Sequence, residues 1–345
     1  MRQPSIRIVI TSPLEPELIE RIVAVDPRLD VVYPRDLLPV ARYPADHAAP
    51  NPRDPEALAA WRSILEPAEI LFDFGPRPLV AELASWPQLR WIQATSAGVG
   101  QFAARFGLDK SRIVVTTASG VHARPLAEFA LMAMLMFGKG AFRLLADQRA
   151  HRWERYAGEE LAARVVGIVG VGRIGREVAR VARGLDARVI GTTRSVAGRP
   201  AGDLFLDRLV PTDELDAILG ELDFLVLTCP HTPETEGLIN AERLALLKPS
   251  AVLINLARGA VVDEPALIAA LQAGRLAGAA LDVVAQEPLP AESPLWDLPN
   301  VLISPHSAST AIGENGKITD LFCDNLQRYL EGCPLRNVLD YALLY

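Results

Sequence analysis

A strand, a glycine-rich turn and a helix follow one another without interruption near the middle of this 345-residue chain. Residues 164–169 form the short apolar run of a buried strand, and Gly170, Gly172 and Gly175 follow in a GxGxxG pattern that leads into a helical stretch. The first glycine permits a tight turn, the second lets a phosphate approach the backbone, and the third lets helix and strand pack closely. Because a helix N-terminus also offers N–H groups to anions, this unit predicts a dinucleotide-binding site.

The end of the next strand, about 20 residues further on, indicates which dinucleotide is bound. An acidic residue there holds the 2′-hydroxyl of NAD(H), whereas an arginine accommodates the 2′-phosphate of NADP(H). The chain has Thr193, Arg194 and Ser195 at this point and no carboxylate. We therefore expect NADP(H) to be preferred, with NAD(H) possible. The alternative is that Arg194 stacks on the adenine and discriminates weakly.

Short apolar runs alternate with helical patterns along the first third of the chain, which predicts βαβ units and a parallel sheet. A longer helical pattern follows, and then a second alternating series whose six strands match the six-stranded doubly wound fold. The last helix has no sheet of its own to cover, so we place it back against the first domain. The expected strands are 6–11, 70–74, 89–94, 113–117, 164–169, 188–192, 224–228, 251–256, 278–283 and 301–304, and the expected helices include 15–25, 55–65, 79–85, 125–149 and 310–330.

Charge and hydropathy exclude two classes of partner. The formal net charge is −7, and acidic and basic residues are interleaved without a basic run, so we expect no nucleic-acid partner. The most apolar run, 126–137, is interrupted by Glu128 and is far shorter than the roughly 20 residues that cross a bilayer. We expect no membrane partner.

The cysteines and the N-terminus favour a cytoplasmic location. Cys229, Cys323 and Cys333 have neither metal-type nor redox-type spacing, so no metal site is expected, and an odd number suits a reducing compartment. Residues 1–4 lead directly into an apolar strand and lack the pattern of a signal peptide.

Reactive side chains follow three strands of the second series. Arg258 follows the strand that ends near residue 256, Glu287 follows the next strand, and His306 follows the last. Ligands of open α/β sheets bind outside the carboxyl ends of the strands, so we expect all three residues to face one crevice. Taken singly, each is compatible with an ordinary surface or loop residue.

Several motifs in the same order resemble the D-isomer-specific 2-hydroxyacid dehydrogenase family. They are the glycine turn, the stretch PHTPET at 230–235, NLARG at 255–259, LDV…EP within 281–288, and PH at 305–306. The resemblance covers essentially the whole chain. It implies an α/β fold of two doubly wound parallel-sheet domains, a flavodoxin-like substrate domain and a Rossmann cofactor domain, with a cleft between them. The expected domains are residues 1–118 plus 306–345 for substrate and residues 119–305 for NAD(P).

The resemblance also assigns catalytic roles, and the chemistry of the residues fits them. Arg258 would bind the substrate carboxylate and polarise the carbonyl with a fixed, two-pronged charge. His306 would protonate the oxygen that becomes the hydroxyl, since imidazole exchanges protons near neutral pH. Glu287 would hydrogen-bond the other ring nitrogen and hold the tautomer.

Binding residues follow from the same resemblance. Backbone N–H groups at Ala97, Gly98 and Val99 would hold the substrate carboxylate, together with Arg258 and His306. An ordinary strand-to-helix turn is the alternative for that loop. The expected cofactor contacts are Gly170, Gly172, Arg173, Ile174, Gly175, Thr193, Arg194, Ser195, Cys229, Pro230, Thr235, Ala257, Arg258, Asp282 and His306.

The expected activity is therefore hydride transfer between NADP(H) and C2 of a small 2-oxo or 2-hydroxy acid. A reductase of glyoxylate and hydroxypyruvate and a reductase of bulkier 2-oxo acids both remain open. An NAD(P)(H)-sensing, corepressor-like regulator on the same fold is the alternative from another class. We expect a homodimer, because the methionine-rich helix 125–149 with Trp153 and Tyr156 resembles the segment that forms a two-fold interface in this family. Core packing within one chain is the alternative for this segment.

Overall fold

A computed structural model describes residues 5–47, 49 and 54–343, and divides the chain into two compact units. Unit 1 comprises residues 1–121 and 310–345, and unit 2 comprises residues 122–309. The sequence-based division at 118/119 and 305/306, with its assignment of substrate and cofactor to separate domains, stays a prediction.

The described residues form two all-parallel sheets flanked by helices. The strands are β1 Ile6–Ile10, β2 Leu29–Val32, β3 Ile70–Phe72, β4 Trp91–Gln93, β5 Val114–Thr116, β6 Val165–Val169, β7 Arg188–Thr193, β8 Arg208–Pro211, β9 Phe224–Leu227, β10 Val252–Asn255, β11 Gly278–Leu281 and β12 Val301–Ile303. The helices are α1 Pro16–Val23, α2 Pro55–Leu65, α3 Arg77–Val80, α4 Gly100–Arg105, α5 Ala123–Gly138, α6 Ala141–Arg149, α7 Arg173–Arg183, α8 Asp216–Leu219, α9 Ala241–Leu246, α10 Glu264–Gln272 and α11 Glu314–Glu331. The predicted α/β class with two parallel sheets is confirmed.

Unit 1 contains a five-stranded sheet in the order β2-β1-β3-β4-β5, the flavodoxin-like order. Both faces of this sheet are covered, so β3 is buried at every position and reads as a continuous apolar run. Helix α11 belongs to this unit, and the Phe322 ring packs 5.1 Å from the rings of both Phe72 and Trp91. The strand β2 was not predicted, because its four residues are only partly buried at the sheet edge and include Asp30.

Unit 2 contains a seven-stranded sheet in the order β12-β11-β10-β9-β6-β7-β8. The prediction of six strands was wrong by one. The additional strand, β8, lies at the edge beside β7, offers only Leu209 and Val210 as aliphatic residues, and ends at Pro211. Proline is tolerated at a sheet edge, and so short a run does not stand out in the sequence.

The single helix predicted at 125–149 is in fact two helices. Helix α5 ends at Gly138, and α6 begins at Ala141 after Gly140, whose φ of 66° is left-handed. The two axes differ by 62°. Within the described residues no single helix has the length and hydropathy to cross a membrane, although α5 and α6 meet that test when taken together.

Candidate active site

The glycine turn of unit 2 has the geometry of a dinucleotide cradle. Gly170 has a φ of 93°, and a Cβ there would lie 2.7 Å from the Cα of Cys229, so only glycine fits. A Cβ on Gly172 would meet no described heavy atom within 4 Å, which leaves the surface above the turn open to a phosphate. Helix α7 starts at Arg173, and its first N–H groups have no partners within the helix. These residues fit a bound pyrophosphate.

Hydrogen bonds from Arg199, a residue that the sequence motifs did not indicate, connect the end of β7 to the glycine turn. Arg199 donates to the Oγ1 of Thr193 (2.9 Å) and to the carbonyl oxygen of Val171 (2.7 Å). Thr193 is half-buried, and Arg194 and Ser195 are exposed beside it. A cavity of about 430 Å³ adjoins this loop, and its lining residues are Arg176, Gly198, Arg199, Pro200, Asp203 and Leu204.

A second loop borders the glycine turn at the end of β9. Cys229 is buried against Gly170, and burial raises the pKa of its thiol to about 11, so the thiol is inert at neutral pH. The hydroxyl of Thr235 donates to the carbonyl of Pro230 (2.8 Å) and closes the loop. A hydrogen bond from Thr232 lowers the pKa of the Glu234 carboxyl, and the charge of Arg194 adds to this effect.

Arg258 lies exposed just beyond β10, on a loop that a buried asparagine supports. Asn255 is 1% exposed; its Nδ2 donates to the carbonyl of Arg258 (3.1 Å), and its Oδ1 accepts from the N–H of Ala257 (3.0 Å). The next residue, Gly259, lies so close to the segment after β11 that a Cβ would be 1.9 Å from the carbonyl oxygen of Val284. This close approach brings the Arg258 loop against the loop that carries Glu287.

His306 and Glu287 form a hydrogen-bonded pair. The Nδ1 of His306 lies 2.8 Å from Oε2 of Glu287, and both side chains remain accessible, at 44% and 39% exposure. His306 has a left-handed φ of 53°, which is uncommon for a residue with a side chain and occurs mostly where the surroundings impose it. The Glu287 carboxylate orients the His306 ring through Nδ1, so Nε2 takes no part in this hydrogen bond.

The buried carboxylate of Asp282 imposes this backbone conformation. Its Oδ1 accepts from the Ser304 hydroxyl (2.7 Å) and from the N–H groups of Ser307 (2.9 Å) and Ala308 (2.8 Å), and its own carbonyl accepts from the N–H of His306 (2.9 Å). Asp282 is 3% exposed. The structure therefore gives this side chain a role in holding the His306 loop, whereas the family resemblance implied a contact with the cofactor, which stays a prediction.

The predicted residues of unit 2 follow the carboxyl ends of neighbouring strands. Arg258, Glu287 and His306 come after β10, β11 and β12, which are adjacent in the sheet. The predicted substrate loop, residues 97–99, belongs to unit 1, where it follows β4 and precedes α4. Among the described residues no group of three or more potential ligands forms a metal site. A fixed cation beside an imidazole–carboxylate pair is suited to acid–base chemistry on an anionic substrate.

Sequence comparison identifies the family. The model of the "D-isomer specific 2-hydroxyacid dehydrogenase, NAD binding domain" matches residues 131–308. Glyoxylate/hydroxypyruvate reductase B of Yersinia enterocolitica is 36% identical, over 84% of this chain and 88% of its own length. The chain belongs to the D-isomer-specific 2-hydroxyacid dehydrogenase family.

Two solved structures from the family resemble the whole chain. A D-isomer-specific 2-hydroxyacid dehydrogenase from Xanthobacter autotrophicus, in complex with NADPH and MES, is 31% identical and covers 99% of this chain and 100% of its own, with a TM-score of 0.77. An NADPH-dependent glyoxylate/hydroxypyruvate reductase from Sinorhizobium meliloti, in complex with NADP and sulfate, is 26% identical with the same coverage and TM-score. The chain is thus a nicotinamide-dependent oxidoreductase that acts on 2-hydroxy acids.

Proposed function

We propose that this enzyme reduces a small 2-oxo acid to the 2-hydroxy acid with NADPH, and that Arg258, Glu287 and His306 carry the reaction. The observation that carries the proposal is the 2.8 Å contact between His306 and Glu287, on a loop next to the Arg258 loop. A reduced nicotinamide, when bound at the glycine turn, supplies the hydride.

Each residue has a separate task in this proposal. The guanidinium of Arg258 binds the carboxylate and polarises the C2 carbonyl. Nε2 of His306 donates a proton to the C2 oxygen as that oxygen becomes negative, while Glu287 accepts the hydrogen bond from Nδ1 and stabilises the protonated ring. In unit 1, backbone N–H groups of Ala97–Val99 hold the substrate carboxylate. In the oxidative direction, His306 removes the hydroxyl proton.

A panel of 2-oxo acids of increasing size, assayed with NADPH, tests this proposal. We expect turnover of at least one small acid, such as glyoxylate, with the D-isomer as product wherever C2 becomes chiral. The relatives that reduce glyoxylate and hydroxypyruvate support small acids as the first choice. If none of the panel oxidises NADPH, the proposed function is wrong.

The preference for NADPH rests on the loop after β7. Arg194 occupies the position at which an NAD-selective enzyme has an acidic residue. Arg199 donates a hydrogen bond to the preceding residue, Thr193. Both solved relatives described above are bound to NADP(H). We expect kcat/KM for NADPH to exceed that for NADH by at least tenfold, and an Arg194→Ala variant to lose most of this difference. A wild-type enzyme that prefers NADH would contradict the assignment.

We further infer that the enzyme works as a homodimer in the cytoplasm. Trp153 is 96% exposed, and Met132, Leu144 and Leu145 on α5 and α6 are also exposed. Contact between these apolar side chains and water costs free energy, which favours a second subunit that covers them. The three cysteines are free thiols, as a reducing compartment favours. Analytical ultracentrifugation of the wild type and of Trp153→Ser tests the dimer: the variant is expected to dissociate at concentrations where the wild type is dimeric.

A further inference from the structure

Arg199 connects two segments of unit 2 that are expected to bind the cofactor. Its Nη1 donates to the Oγ1 of Thr193 (2.9 Å), at the end of β7, and its Nη2 donates to the carbonyl oxygen of Val171 (2.7 Å), inside the glycine turn. Arg199 is half-buried, whereas residues 194–198, which precede it, are exposed. One guanidinium group at the end of an exposed loop therefore links the glycine turn to the end of β7.

The Val171 carbonyl belongs to the peptide unit that leads into Gly172. A peptide unit is planar, so a hydrogen bond that fixes its carbonyl also fixes the direction of the following N–H. The N–H of Val171 donates to the carbonyl of Thr192 (3.2 Å), and the N–H of Gly172 donates to the carbonyl of Gly170 (2.9 Å). With the bond from Arg199, the backbone is held on both sides of Val171 where the chain enters α7.

This backbone leads directly to the N–H groups that would bind a pyrophosphate. Helix α7 starts at Arg173, and its first N–H groups have no partners within the helix. An anion at a helix N-terminus is bound when these groups point at it together. If the turn samples several conformations, only the competent fraction binds, and the apparent Kd rises by the inverse of that fraction. A residue that holds the turn in one conformation therefore raises affinity without touching the ligand.

The guanidinium of Arg199 is well suited to hold two acceptors at once. It is planar and permanently charged, so the directions of its N–H groups are fixed, and hydrogen bonds from a charged donor are stronger than neutral ones. The N–H of Arg199 donates to the carbonyl of Val196 (3.2 Å), and Gly198 between them has a left-handed φ of 67°. This tight turn directs the chain back, so that Arg199 reaches β7 and the glycine turn.

We propose that Arg199 is a positioning residue, which strengthens dinucleotide binding through the backbone of the glycine turn and does not discriminate between NADPH and NADH. The pyrophosphate is common to both dinucleotides, so a residue that acts through this turn should favour both alike. Arg194, in contrast, is expected to separate them through the 2′-phosphate. The inference rests on the proposed function only in that the cofactor binds at the glycine turn.

Fluorescence titrations of the wild type and of Arg199→Ala, with NADPH and separately with NADH, test this inference. We expect the Kd for each dinucleotide to rise roughly 10- to 100-fold in the variant, by factors that agree within about threefold. Arg199→Lys keeps the charge but lacks the two-pronged geometry, so it should recover part of the affinity for both dinucleotides. Hydrogen exchange of the cofactor-free proteins gives a readout without any ligand, and residues 170–176 should exchange faster in Arg199→Ala.

Arg275→Ala is the matched control. Arg275 is exposed and lies shortly before β11, so it is at the amino end of the parallel sheet, whereas the glycine turn follows β6 at the carboxyl end. Both Kd values and the exchange of residues 170–176 should remain at their wild-type values in this variant. Melting temperatures of all variants show whether each is folded under the conditions of the titration.

The possible results separate this role from two others. A loss of affinity confined to NADPH would make Arg199 a direct ligand of the 2′-phosphate and would overturn the proposal. Wild-type Kd values in Arg199→Ala, or wild-type exchange at residues 170–176, would overturn it as well. The titrations contain no 2-oxo acid, so their outcome is independent of the turnover panel that tests the proposed reaction. A wild type that binds neither dinucleotide overturns both this inference and the proposed function.

Discussion

Replacing Gly259 with alanine tests whether the close approach of two loops places Arg258 beside the Glu287–His306 pair. A Cβ at this position would be 1.9 Å from the carbonyl oxygen of Val284, whereas ordinary contacts begin near 3.4 Å. The loops must therefore separate by about 3.4 − 1.9 = 1.5 Å. A misplacement of about 1 Å at a reacting centre costs on the order of 100-fold in rate, so we expect kcat/KM to fall by about that factor or more.

Stability should change less than activity. Overpacking a well-packed site typically costs about 1–3 kcal/mol, so the variant is expected to remain folded with a lower urea midpoint. NADPH affinity, measured by fluorescence titration, should fall less than turnover, because most of the expected cofactor contacts, among them the glycine turn at Gly170–Gly175, lie outside the displaced loops. The loss should then appear in turnover more than in cofactor binding.

Gly316 provides the matched control. It lies inside α11, and a Cβ there would meet no described heavy atom within 4 Å. Gly316→Ala should raise the free energy of unfolding by about 0.5–1 kcal/mol, since alanine is the better helix former, and should leave kcat unchanged. Wild-type turnover in Gly259→Ala would refute the reasoning that this contact positions Arg258.

Further predictions concern His306, Asp282 and the three thiols of the chain. His306→Ala should lower kcat by roughly 10²–10⁴-fold, the range for loss of a general acid, and steady-state turnover within threefold of wild type would remove His306 from the mechanism. Asp282→Asn keeps an acceptor oxygen but loses the charge that strengthens three hydrogen bonds. The free energy of unfolding, measured in urea, should therefore fall by about 1–3 kcal/mol. We also expect a lower kcat, because the His306 loop is held less firmly. Burial raises the pKa of Cys229 and of Cys323 to about 11 from an ordinary value of 9.0, so near pH 8 a thiol reagent should label only exposed Cys333 rapidly. In the unfolded chain the two buried thiols lose their protons near pH 9, before the folded chain loses them. The free energy of unfolding should therefore fall as the pH rises from about 9 to 11, and a constant value over this range would contradict the two pKa shifts.

Much of the fold follows from local patterns. Continuous apolar runs such as Val165–Val169 and Phe224–Leu227 stand out because parallel strands are buried on both faces. The edge strands Leu29–Val32 and Arg208–Pro211 do not stand out, because an edge strand is only partly covered and carries polar residues. The break at Gly140 was missed because residues on both sides of it continue a helical pattern.

By itself, the sequence determined the class of the protein. The informative signals are short and contiguous: the glycine turn, Arg194 after β7, and the ordered motifs at the strand ends. Each can be recognised in the sequence because its residues are neighbours in the chain. They were enough to predict the two parallel sheets and the family, both of which are confirmed.

Only the tertiary structure showed which distant residues support the site. Asp282 accepts hydrogen bonds from the backbone at residues 306–308, and Arg199 joins Thr193 to the glycine turn. Strand order decides these encounters, because a parallel sheet brings together the carboxyl ends of strands that are far apart in the chain. Local periodicity does not encode that order, so the sequence predicted candidate reacting groups, and the fold showed which residues hold them in place.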